Sequence, residues 1–520
     1  MISSGSISMD RREFLRGLVA LAALVSVPDH VRAGEALSWE PDFFPFVLGV
    51  ASGSPSADGF VLWTRLMGER VPVGQDILVH WEVFDLQDPT QILAKGDAVA
   101  RAVLGHAVHV EVAGLAANRW YGYRFRVGTQ VSMPGRTRTL PPMDGPMPER
   151  LRFAYVSCQH WEQGYYAGYR HMLEEKLDVV LFLGDYIYEY ASSADPNVVR
   201  RHHLPVARTL EDYRARYAVY KSDPWLQAMH AHCPWLVIWD DHEVENDYRG
   251  VLSIYNTDNF LSMRAAAYQA YYEHMPLRAA TLVAGLEGML RGAEMRIYQR
   301  VAFGSLAMWH LLDCRQYRDD PAEEKRSMLG HPQEEWLDEG VRLCAEQKIP
   351  WNLVVHQNRF TPANYPDGAG KKASSDRWDG YPEARVRLLQ ALATHKPRNT
   401  VLIGGDIHQN WVAHVHLDPY DVRSSVVASE FVGTSISSRM GRPQHVAEKH
   451  AAQNPHCVLV NTERRGYGVV ELSATQAVVE LRVLEDVRDE ESGISTLARF
   501  VVEEGKPLRR DQGGGWLIKN

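Results

Sequence analysis

Cysteine is scarce in this 520-residue chain, which contains Cys158, Cys233, Cys314, Cys344 and Cys457. An odd number this small excludes a disulfide framework, because at least one thiol stays unpaired; one bridge between two of the others is left open. Long basic runs are also absent and the formal net charge is −9, so the footprint of a nucleic-acid-binding protein is missing. There is no internal repeat, no low-complexity tract and no apolar run long enough to span a bilayer.

The N-terminal segment has the features of an export signal. Residues 10–16 contain a twin-arginine pattern, residues 17–27 are a short apolar stretch, and Val31-Arg32-Ala33 ends like a signal-peptidase site. An amphipathic start of the first domain is the alternative, but the three features stand in the order of a signal. We therefore predict a twin-arginine signal peptide over residues 1–33, export through the twin-arginine translocation machinery, and a periplasmic or extracellular protein without a stable membrane anchor.

Residues 40–138 have the pattern of an all-β domain. Runs of strand length occur at 59–64, 77–83, 109–112 and 120–127, and short turn signals separate them. This pattern predicts a small immunoglobulin-like or fibronectin-like sandwich. The proline-rich stretch at 132–148 predicts an extended linker to a second domain, residues 149–520.

In the second domain, five short apolar runs each stop at side chains that can bind a metal ion. The runs begin at Leu151, Asp178, Trp235, Trp351 and Thr400, and the residues that follow them include Cys158, Asp185, Asp240, His356 and Asp406. Such runs are typical of buried strands in a sheet covered on both faces. Because ligands collect beyond the carboxyl ends of these strands, we expect the five ends to converge at one edge of the sheet.

The C-terminal part of the chain predicts two further features. Residues 468–472 and 478–482 alternate like an antiparallel pair, which indicates a second sheet and hence a sandwich with helices outside. A helical piece around residues 496–502 and the glycine-rich tail predict a segment that lies over the site as a lid.

Cys158, Asp185 and Tyr188 are an unusual set of potential ligands. A thiolate and a phenolate do not suit magnesium, which prefers hard oxygen donors, but they suit a transition metal, and tyrosinate suits ferric iron in particular. Asp185 precedes Tyr188 by three positions in the loop that leaves a strand. We expect its carboxylate to bridge two ions while Tyr188 binds one of them.

A second set offers harder donors. Asp240, Asp241, Asn246 and Asp406 carry the oxygen atoms that calcium, magnesium or manganese prefer, and His408 follows Asp406 closely enough to reach the same centre. Taken singly, a cysteine is more often a buried apolar side chain, a tyrosine a packed ring, and an Asp-Asp-His-Glu stretch a helix N-cap. Their coincidence at successive strand ends favours a metal site over these alternatives.

Phosphate chemistry also needs an acid and a cation. His242 is predicted to protonate a leaving group or to hold phosphate; a structural histidine bonded to a carboxylate is the alternative. Arg214 and Arg216 lie two positions apart on a predicted helix and point in different directions, so at most one is expected to reach the site. Solvated surface positions are the alternative for both.

Six short motifs stand in one order along the second domain. They are Ser157-Cys158-Gln159, Gly184-Asp185-Tyr186-Ile187-Tyr188-Glu189, Trp239-Asp240-Asp241-His242-Glu243-Val244, Leu312-Asp313-Cys314-Arg315-Gln316-Tyr317-Arg318, Trp378-Asp379-Gly380-Tyr381-Pro382 and Gly405-Asp406-Ile407-His408. With residues 48–55 and 61–65 of the first domain, the chain resembles the PhoD-like alkaline phosphatases, a branch of the calcineurin-like metallophosphoesterases. The resemblance covers nearly all of the mature chain.

This resemblance implies a fold and a metal content. The fold would be α/β, a layered metallophosphoesterase sandwich of two mixed sheets flanked by helices, behind the small all-β domain. The metals would be Fe³⁺ and Ca²⁺, with Mn²⁺ or Mg²⁺ as replacements. By motif, the iron ligands would be Cys158, Asp185, Tyr188 and His408, the calcium ligands Asp185, Asp241, Asn246 and Asp406, and the phosphate-binding residue Arg216.

The function that follows is hydrolysis of phosphate monoesters or diesters outside the cytoplasm, by attack of a metal-activated hydroxide. Two alternatives stay open. One is a preference for diesters, including a phospholipase D-like activity. The other is a secreted polymer-binding protein with a structural metal site, which a closed site with every coordination position filled by protein would favour.

Overall fold

The computed structural model describes residues 44–282, 294–324, 326–363 and 376–511. The predicted signal peptide and the end of the predicted lid, residues 512–520, lie outside the described residues. In the described ranges, no helix combines the length and the apolar character needed to cross a membrane.

The strands are numbered in chain order. They are β1 (Val50–Gly53), β2 (Phe60–Arg65), β3 (Ile77–Asp85), β4 (Ile92–Ala100), β5 (Ala107–Val112), β6 (Trp120–Val127), β7 (Gln130–Val131), β8 (Gly135–Arg138), β9 (Leu151–Val156), β10 (Val179–Phe182), β11 (Trp235–Val237), β12 (Gln299–Phe303), β13 (Ala307–Leu311), β14 (Trp351–Val355), β15 (Thr400–Gly404), β16 (Asn410–His416), β17 (Val426–Val432), β18 (Cys457–Asn461), β19 (Gly466–Leu472), β20 (Gln476–Leu484), β21 (Ile494–Glu503) and β22 (Arg509–Arg510).

The helices are numbered in the same way. They are α1 (Ala167–Met172), α2 (Leu210–Lys221), α3 (Pro224–His232), α4 (Phe260–His274), α5 (His331–Glu346), α6 (Pro382–His395) and α7 (Gln444–Ala452), with 3-10 turns at Ala102–Leu104 and Trp378–Gly380. Helix α2 begins with a capping box in which Thr209 and Asp212 each bond the other's backbone.

Two large mixed sheets face each other and enclose the main core. The first has ten strands in the order β22-β21-β20-β19-β9-β10-β11-β1-β2-β5, and the second has seven in the order β12-β13-β14-β15-β17-β16-β18. Phe153 of β9 packs edge-on against Trp309 of β13 with ring centroids 5.5 Å apart. Phe431 and Phe500 make a similar contact between β17 and β21. The predicted layered sandwich is confirmed.

Helices α5 and α6 cover the outer face of the second sheet. Both carry a proline in the first turn, where its missing N–H costs nothing. Leu337 of α5 and Leu388 of α6 are buried in one cluster with Val354 and Leu402 of the sheet. Burial of these apolar side chains, each worth about 1.5–3 kcal/mol, fixes the helices against β14 and β15.

The N-terminal region is all-β, but its strands belong to two sheets. β4, β3, β6 and β7 form a five-stranded sheet together with β8, which pairs with β6. β1, β2 and β5 instead extend the ten-stranded sheet through the pairing of Gly53 in β1 with Trp235 in β11. Phe60 and Tyr121 pack between the two layers with ring centroids 5.9 Å apart.

Two predictions about the sheets are wrong. The five strands that end at potential ligands do not share one sheet, because β9, β10 and β11 lie in the first and β14 and β15 in the second. β19 and β20 pair antiparallel as predicted, but they continue the first sheet beside β9 instead of forming a second one. An apolar run specifies a buried strand, and it does not specify which side of a sandwich the strand joins.

The helix predicted around residues 496–502 is also wrong. This segment is strand β21, in which Ala498, Phe500 and Val502 are buried at the two-residue period of a strand. The turn after it lies far from the strand ends that carry ligands, since the Gly505 amide donates to Asn399 at the amino end of β15, 3.1 Å away. The described part of this segment therefore does not form a lid.

All five cysteines lie in the described residues, and each is a free thiol. Four are buried, and Cys457 is half-buried. The bridge that the sequence left open is not formed.

Candidate metal centre

The carboxyl ends of β9, β10, β11 and β15 meet at the same end of the sandwich. Three groups of side chains there place their potential ligand atoms within 4.8 Å of one another, in the described residues. The groups are Cys158 with Asp185 and His408, Asp185 with Asp241 and His242, and Asp240 with Asp241 and Asp406. Asp185 and Asp241 each belong to two of the groups, so these two carboxylates connect the three groups.

The strand ends adopt a backbone conformation that L-residues rarely use. Cys158, Asp185, Asp406 and His408 have φ angles of 58°, 57°, 64° and 51°. This left-handed conformation turns each side chain away from the strand direction and toward the cluster. Such conformations cost about 1–3 kcal/mol each, and they concentrate at functional sites.

Tyr188 joins the first group through its hydroxyl. The hydroxyl lies 3.0 Å from Asp185 Oδ2 and 3.1 Å from His408 Nε2, and it accepts a 2.7 Å hydrogen bond from Ser438. His408 Nδ1 is bonded to the Arg439 carbonyl at 2.9 Å, which turns Nε2 toward the cluster. One thiol, one phenol, one imidazole and one carboxylate therefore surround the same point.

Several buried oxygen atoms in this cluster lack a hydrogen-bond donor. Asp185 Oδ1, Asp240 Oδ2 and Asp241 Oδ1 are inaccessible and have no hydrogen-bond partner among the described residues. Burial raises the pKa of Asp185 well above its usual value, as it does that of Cys158, which Asp185 raises further. Buried anionic groups without donors fit bound cations, and the thiol, phenol and carboxylate set fits a transition metal beside a harder ion.

His242 is held by a carboxylate next to the cluster. Its Nδ1 lies 2.8 Å from Glu189 Oε2. Burial alone would lower the pKa of His242, but Glu189, Asp241 and Asp185 outweigh burial and hold the pKa well above its usual value. The ring is therefore an imidazolium when no cation is bound, with its second nitrogen free of Glu189.

Asn246 lies at the border of the same cleft. Its backbone N–H donates to Glu189 Oε1 at 2.9 Å, and its Nδ2 donates to the Tyr255 hydroxyl at 3.0 Å. The side-chain carbonyl oxygen is then the atom that can bind a cation.

Arg216 does not line the cleft. Its guanidinium donates to the carbonyls of Tyr188 and Tyr190, and at 2.7 Å to that of Pro205. The neighbouring Arg214 pairs with Glu273 at 2.6 Å. Neither arginine of α2 therefore reaches a phosphate site, and Arg216 instead fixes the loop that carries Tyr188.

The cleft above the cluster has a volume of about 230 Å³ and is open to solvent. Asp185, Asp241, Asp406 and His408 form its floor, and Arg359, Arg377 and Arg442 also line it. Arg377 Nε lies 3.0 Å from Asp406 Oδ2. Arg377 was not predicted from the sequence, although it immediately precedes the Trp378-Asp379-Gly380 motif.

Two further residues of the site, Arg315 and Asp376, were not predicted from the sequence. The Arg315 guanidinium is completely buried and pairs with Asp240 and Asp376. It also lies 3.5 Å from Asp241 and 3.9 Å from Asp406. The motif at residues 312–318 was the feature of the sequence that could have indicated Arg315, because its arginines are not spaced as on a solvent-exposed face.

Glu243 ties together the loops that follow β10 and β11. Its carboxylate accepts the backbone N–H groups of Tyr186 at 2.5 Å, Asp240 at 2.8 Å and Asp185 at 3.1 Å. Burial raises its pKa to about 7. His356, in contrast, is buried away from the cleft, and burial lowers its pKa to about 3.

Comparison with known proteins gives the family. The model of the PhoD-like phosphatase family matches residues 153–481, and that of the PhoD-like phosphatase N-terminal domain matches residues 33–141. This chain belongs to the PhoD-like phosphatases. It is therefore an enzyme of the phosphoric ester hydrolase class, as the sequence motifs predicted.

Relatives of this PhoD-like phosphatase extend over most of its length. Alkaline phosphatase D of Bacillus subtilis (strain 168) is 39% identical over 96% of this chain and 88% of its own. A solved structure described as that of PhoD is 38% identical, covers 92% of this chain and 94% of its own, and superposes with a TM-score of 0.83. The purple acid phosphatase PPD1 from yellow lupin seeds shares the fold, at 12% identity and a TM-score of 0.52 over 88% of this chain and 73% of its own.

Proposed function

We propose that this PhoD-like phosphatase is an exported, metal-dependent hydrolase of phosphate monoesters and diesters. The observation that carries the proposal is the position of Asp185. Its carboxylate lies between Cys158 and His408 on one side and Asp241 on the other, and its Oδ1 has no hydrogen-bond partner among the described residues. Burial holds the pKa of this carboxyl well above its usual value, and bound cations would favour its ionised form and occupy the oxygen that lacks a donor.

The donor atoms divide into two sets. Cys158, Asp185, Tyr188 and His408 would hold Fe³⁺, since a thiolate and a phenolate are anionic, electron-rich ligands and tyrosinate suits ferric iron. Asp185, Asp241, Asn246 and Asp406 would hold Ca²⁺, or Mn²⁺ or Mg²⁺, through oxygen. The bound cations would supply Lewis acidity and lower the pKa of a bound water.

The chain's own residues have separate tasks in hydrolysis. The His242 imidazolium, held at Nδ1 by Glu189, donates a proton from its other nitrogen to the leaving oxygen. Arg377 binds the phosphoryl oxygens, because it lines the cleft beside Asp406. Arg216 keeps Tyr188 in place through the Tyr188 carbonyl.

The open cleft favours a catalytic metal site and not a structural one. A structural site is closed, whereas this cluster forms the floor of a cleft open to solvent.

Relative turnover of 4-nitrophenyl phosphate and bis(4-nitrophenyl) phosphate measures the preference between monoesters and diesters.

Metal analysis and an optical spectrum of the purified protein test the proposal. We expect iron, a second cation and a visible tyrosinate-to-iron absorption band that is lost in Tyr188→Phe. Tyr420→Phe, at an exposed turn position, should leave the band unchanged. A protein without iron that hydrolyses neither ester at any pH would contradict the proposal.

Export is tested separately by cell fractionation. The change of Arg11 and Arg12 to lysine should retain the protein in the cytoplasm, because the translocation machinery reads the arginine pair. The change of Arg16 to lysine is the matched control and should leave export intact.

A further inference from the structure

Two tyrosines stand beside residues that line the cleft. The ring of Tyr190 lies 5.1 Å from that of His242 in an edge-on arrangement, and the Tyr255 hydroxyl is bonded to Asn246. Tyr190 is 41% exposed and Tyr255 57% exposed. Each tyrosine therefore contacts one residue of the cleft and is also exposed to solvent, and we call Tyr190 and Tyr255 the tyrosine pair.

The ring of Tyr190 also lies beside the ring of Tyr188, with centroids 6.5 Å apart in a tilted arrangement. A neutral ring at this position offers contact area and does not repel the negative charge of a phosphate ester.

The loop that carries Tyr255 is bonded to the segment that carries the site. Ser253 and Thr257 each donate a hydroxyl to a different oxygen of Glu245. The backbone N–H groups of Tyr255 and Thr257 both donate to Ser253 Oγ at 3.1 Å. The exposed position of Tyr255 is thus fixed by hydrogen bonds, so the ring is already placed before a ligand binds, and the ordering cost of binding is small.

We propose that the tyrosine pair is the subsite for an aromatic or other apolar organic group of the phosphate ester, and that it selects substrates by this group. The inference rests on the proposed function, which places the leaving oxygen beside His242. Because Tyr190 packs against His242, a group attached to that oxygen extends over the Tyr190 ring. The residues that line the cleft are mostly charged, with Ile407 and Met440 as its apolar members, so the two exposed tyrosine rings add aromatic contact area that the cleft itself lacks.

Hydrolysis of two monoesters measures the selection. In Tyr190→Ala and Tyr255→Ala, we expect KM for 4-nitrophenyl phosphate to rise about 5- to 10-fold in each, the size of one lost aromatic contact. KM for glycerol 2-phosphate and inhibition by inorganic phosphate should change less than about twofold. Tyr190→Phe and Tyr255→Phe keep the rings and should keep the preference, and Tyr420→Ala, another exposed tyrosine, is the matched control.

Each variant's metal content is measured alongside, because Tyr255 contacts Asn246. Equal losses with both esters and with inorganic phosphate would overturn the proposal, since the tyrosines would then act only through His242 and Asn246.

Binding of phosphonates tests the subsite without hydrolysis. The metal-loaded wild-type protein should bind phenylphosphonate more tightly than methylphosphonate, and the double alanine variant should bind the two equally. A protein with this preference that hydrolyses no ester refutes the proposed function and leaves the subsite standing. A protein that hydrolyses esters but shows no such preference refutes the subsite alone.

Two other occupants of this surface give distinct results. If the wild-type protein cosediments with phosphatidylcholine vesicles, the double alanine variant does not, and no phosphonate preference is found, the tyrosine pair binds a lipid surface. If the wild-type protein self-associates in sedimentation velocity and the same variant does not, the tyrosine pair contacts a second copy of the chain. Either result, in place of the phosphonate preference, overturns the proposal.

Discussion

Arg315 places its guanidinium in a buried ion pair with Asp240, although 75 positions separate the two residues in the sequence. The same guanidinium pairs with Asp376, and it lies near Asp241 and Asp406. Arg315 therefore supplies one fixed positive charge in the middle of four carboxylates. Arg318 also pairs with Asp376 and Arg377 with Asp406, each at 3.0 Å, and the negative charge that remains is left for bound cations to neutralise.

Arg315→Met should destabilise the protein by about 3–5 kcal/mol, because removal of one partner leaves buried carboxylates unpaired. Added calcium should recover part of this loss, since a cation can replace the missing charge. Chemical denaturation with and without calcium measures both effects.

Arg342→Met is the matched control. Arg342 pairs with Glu346 on the exposed face of α5 at 2.7 Å. A surface pair of this kind is worth about 0.5 kcal/mol or less, and calcium should have no effect on it. Equal losses in the two variants would show that the position of Arg315 among the carboxylates has no special importance.

Arg377 and Arg216 should give opposite phenotypes. Arg377→Ala removes a charged donor from the cleft, so the inhibition constant of inorganic phosphate should rise about 10-fold, while loss of the pair with Asp406 should cost only about 1 kcal/mol because the Arg377 side chain is partly exposed. Arg216→Met removes donors from three buried carbonyls and should cost about 2–4 kcal/mol of stability. Phosphate inhibition and denaturation are measured on both proteins.

Arg423→Ala is the control for the first change, since Arg423 is exposed and pairs only with Asp421 among the described residues. A weakened phosphate affinity in Arg216→Met at full stability would restore the role that the sequence predicted for Arg216.

The sequence predicted the ligands at strand ends because their signal is local. The apolar run that ends at Val156 and the thiol of Cys158 are neighbours in the chain, and the same holds for Phe182 and Asp185. A run that stops at a ligand predicts both the strand and the direction of the site. These ligands are the ones that the structure brings together around Tyr188.

The residues that were missed depend on partners distant in sequence. Arg315 follows the apolar run of β13, but an arginine is not a metal ligand, so this run did not point to the site. Asp376 has no such run beside it, and only the packing of the two sheets brings both residues to the cluster around Asp240. Arg216 was predicted to bind phosphate, and a charged residue on a helix gives no sign that its guanidinium will bond backbone carbonyls. The prediction of which strands share a sheet was wrong for the same reason. An alternation of apolar and polar residues defines the two faces of a strand, and it does not define which strands lie beside it.

Gly184 should tolerate no side chain. Its φ angle is 105°, and an added Cβ would lie 2.5 Å from the backbone nitrogen of Asp240. Gly184→Ala should therefore cost about 3 kcal/mol or more, from backbone strain and from displacement of the loop after β11, and should lower the content of bound metal. Denaturation and metal analysis measure the two effects.

Gly74→Ala is the control that separates backbone strain from a steric clash of the added Cβ. Its φ angle is 77°, but nothing lies within 4 Å of an added Cβ. Gly74→Ala should cost about 1–2 kcal/mol from strain alone and leave metal content unchanged. If Gly184→Ala costs no more than this, the close approach to Asp240 does not constrain the site.

Glu243 should make stability depend on pH in a direction set by its raised pKa. Burial raises the pKa from 4.5 to about 7, so between these values the folded protein binds the proton more tightly than the unfolded chain does. Stability from this group is therefore greatest below pH 4.5 and is lost as the pH rises through 7. Glu243→Gln does not titrate, so the melting temperature of wild type minus that of the variant should fall between pH 5.5 and pH 8 in chelator. Histidines that titrate in the same range are common to both proteins and cancel in the difference. A difference that stays constant, or rises with pH, would show that Glu243 is ionised throughout and that its three N–H donors outweigh its burial.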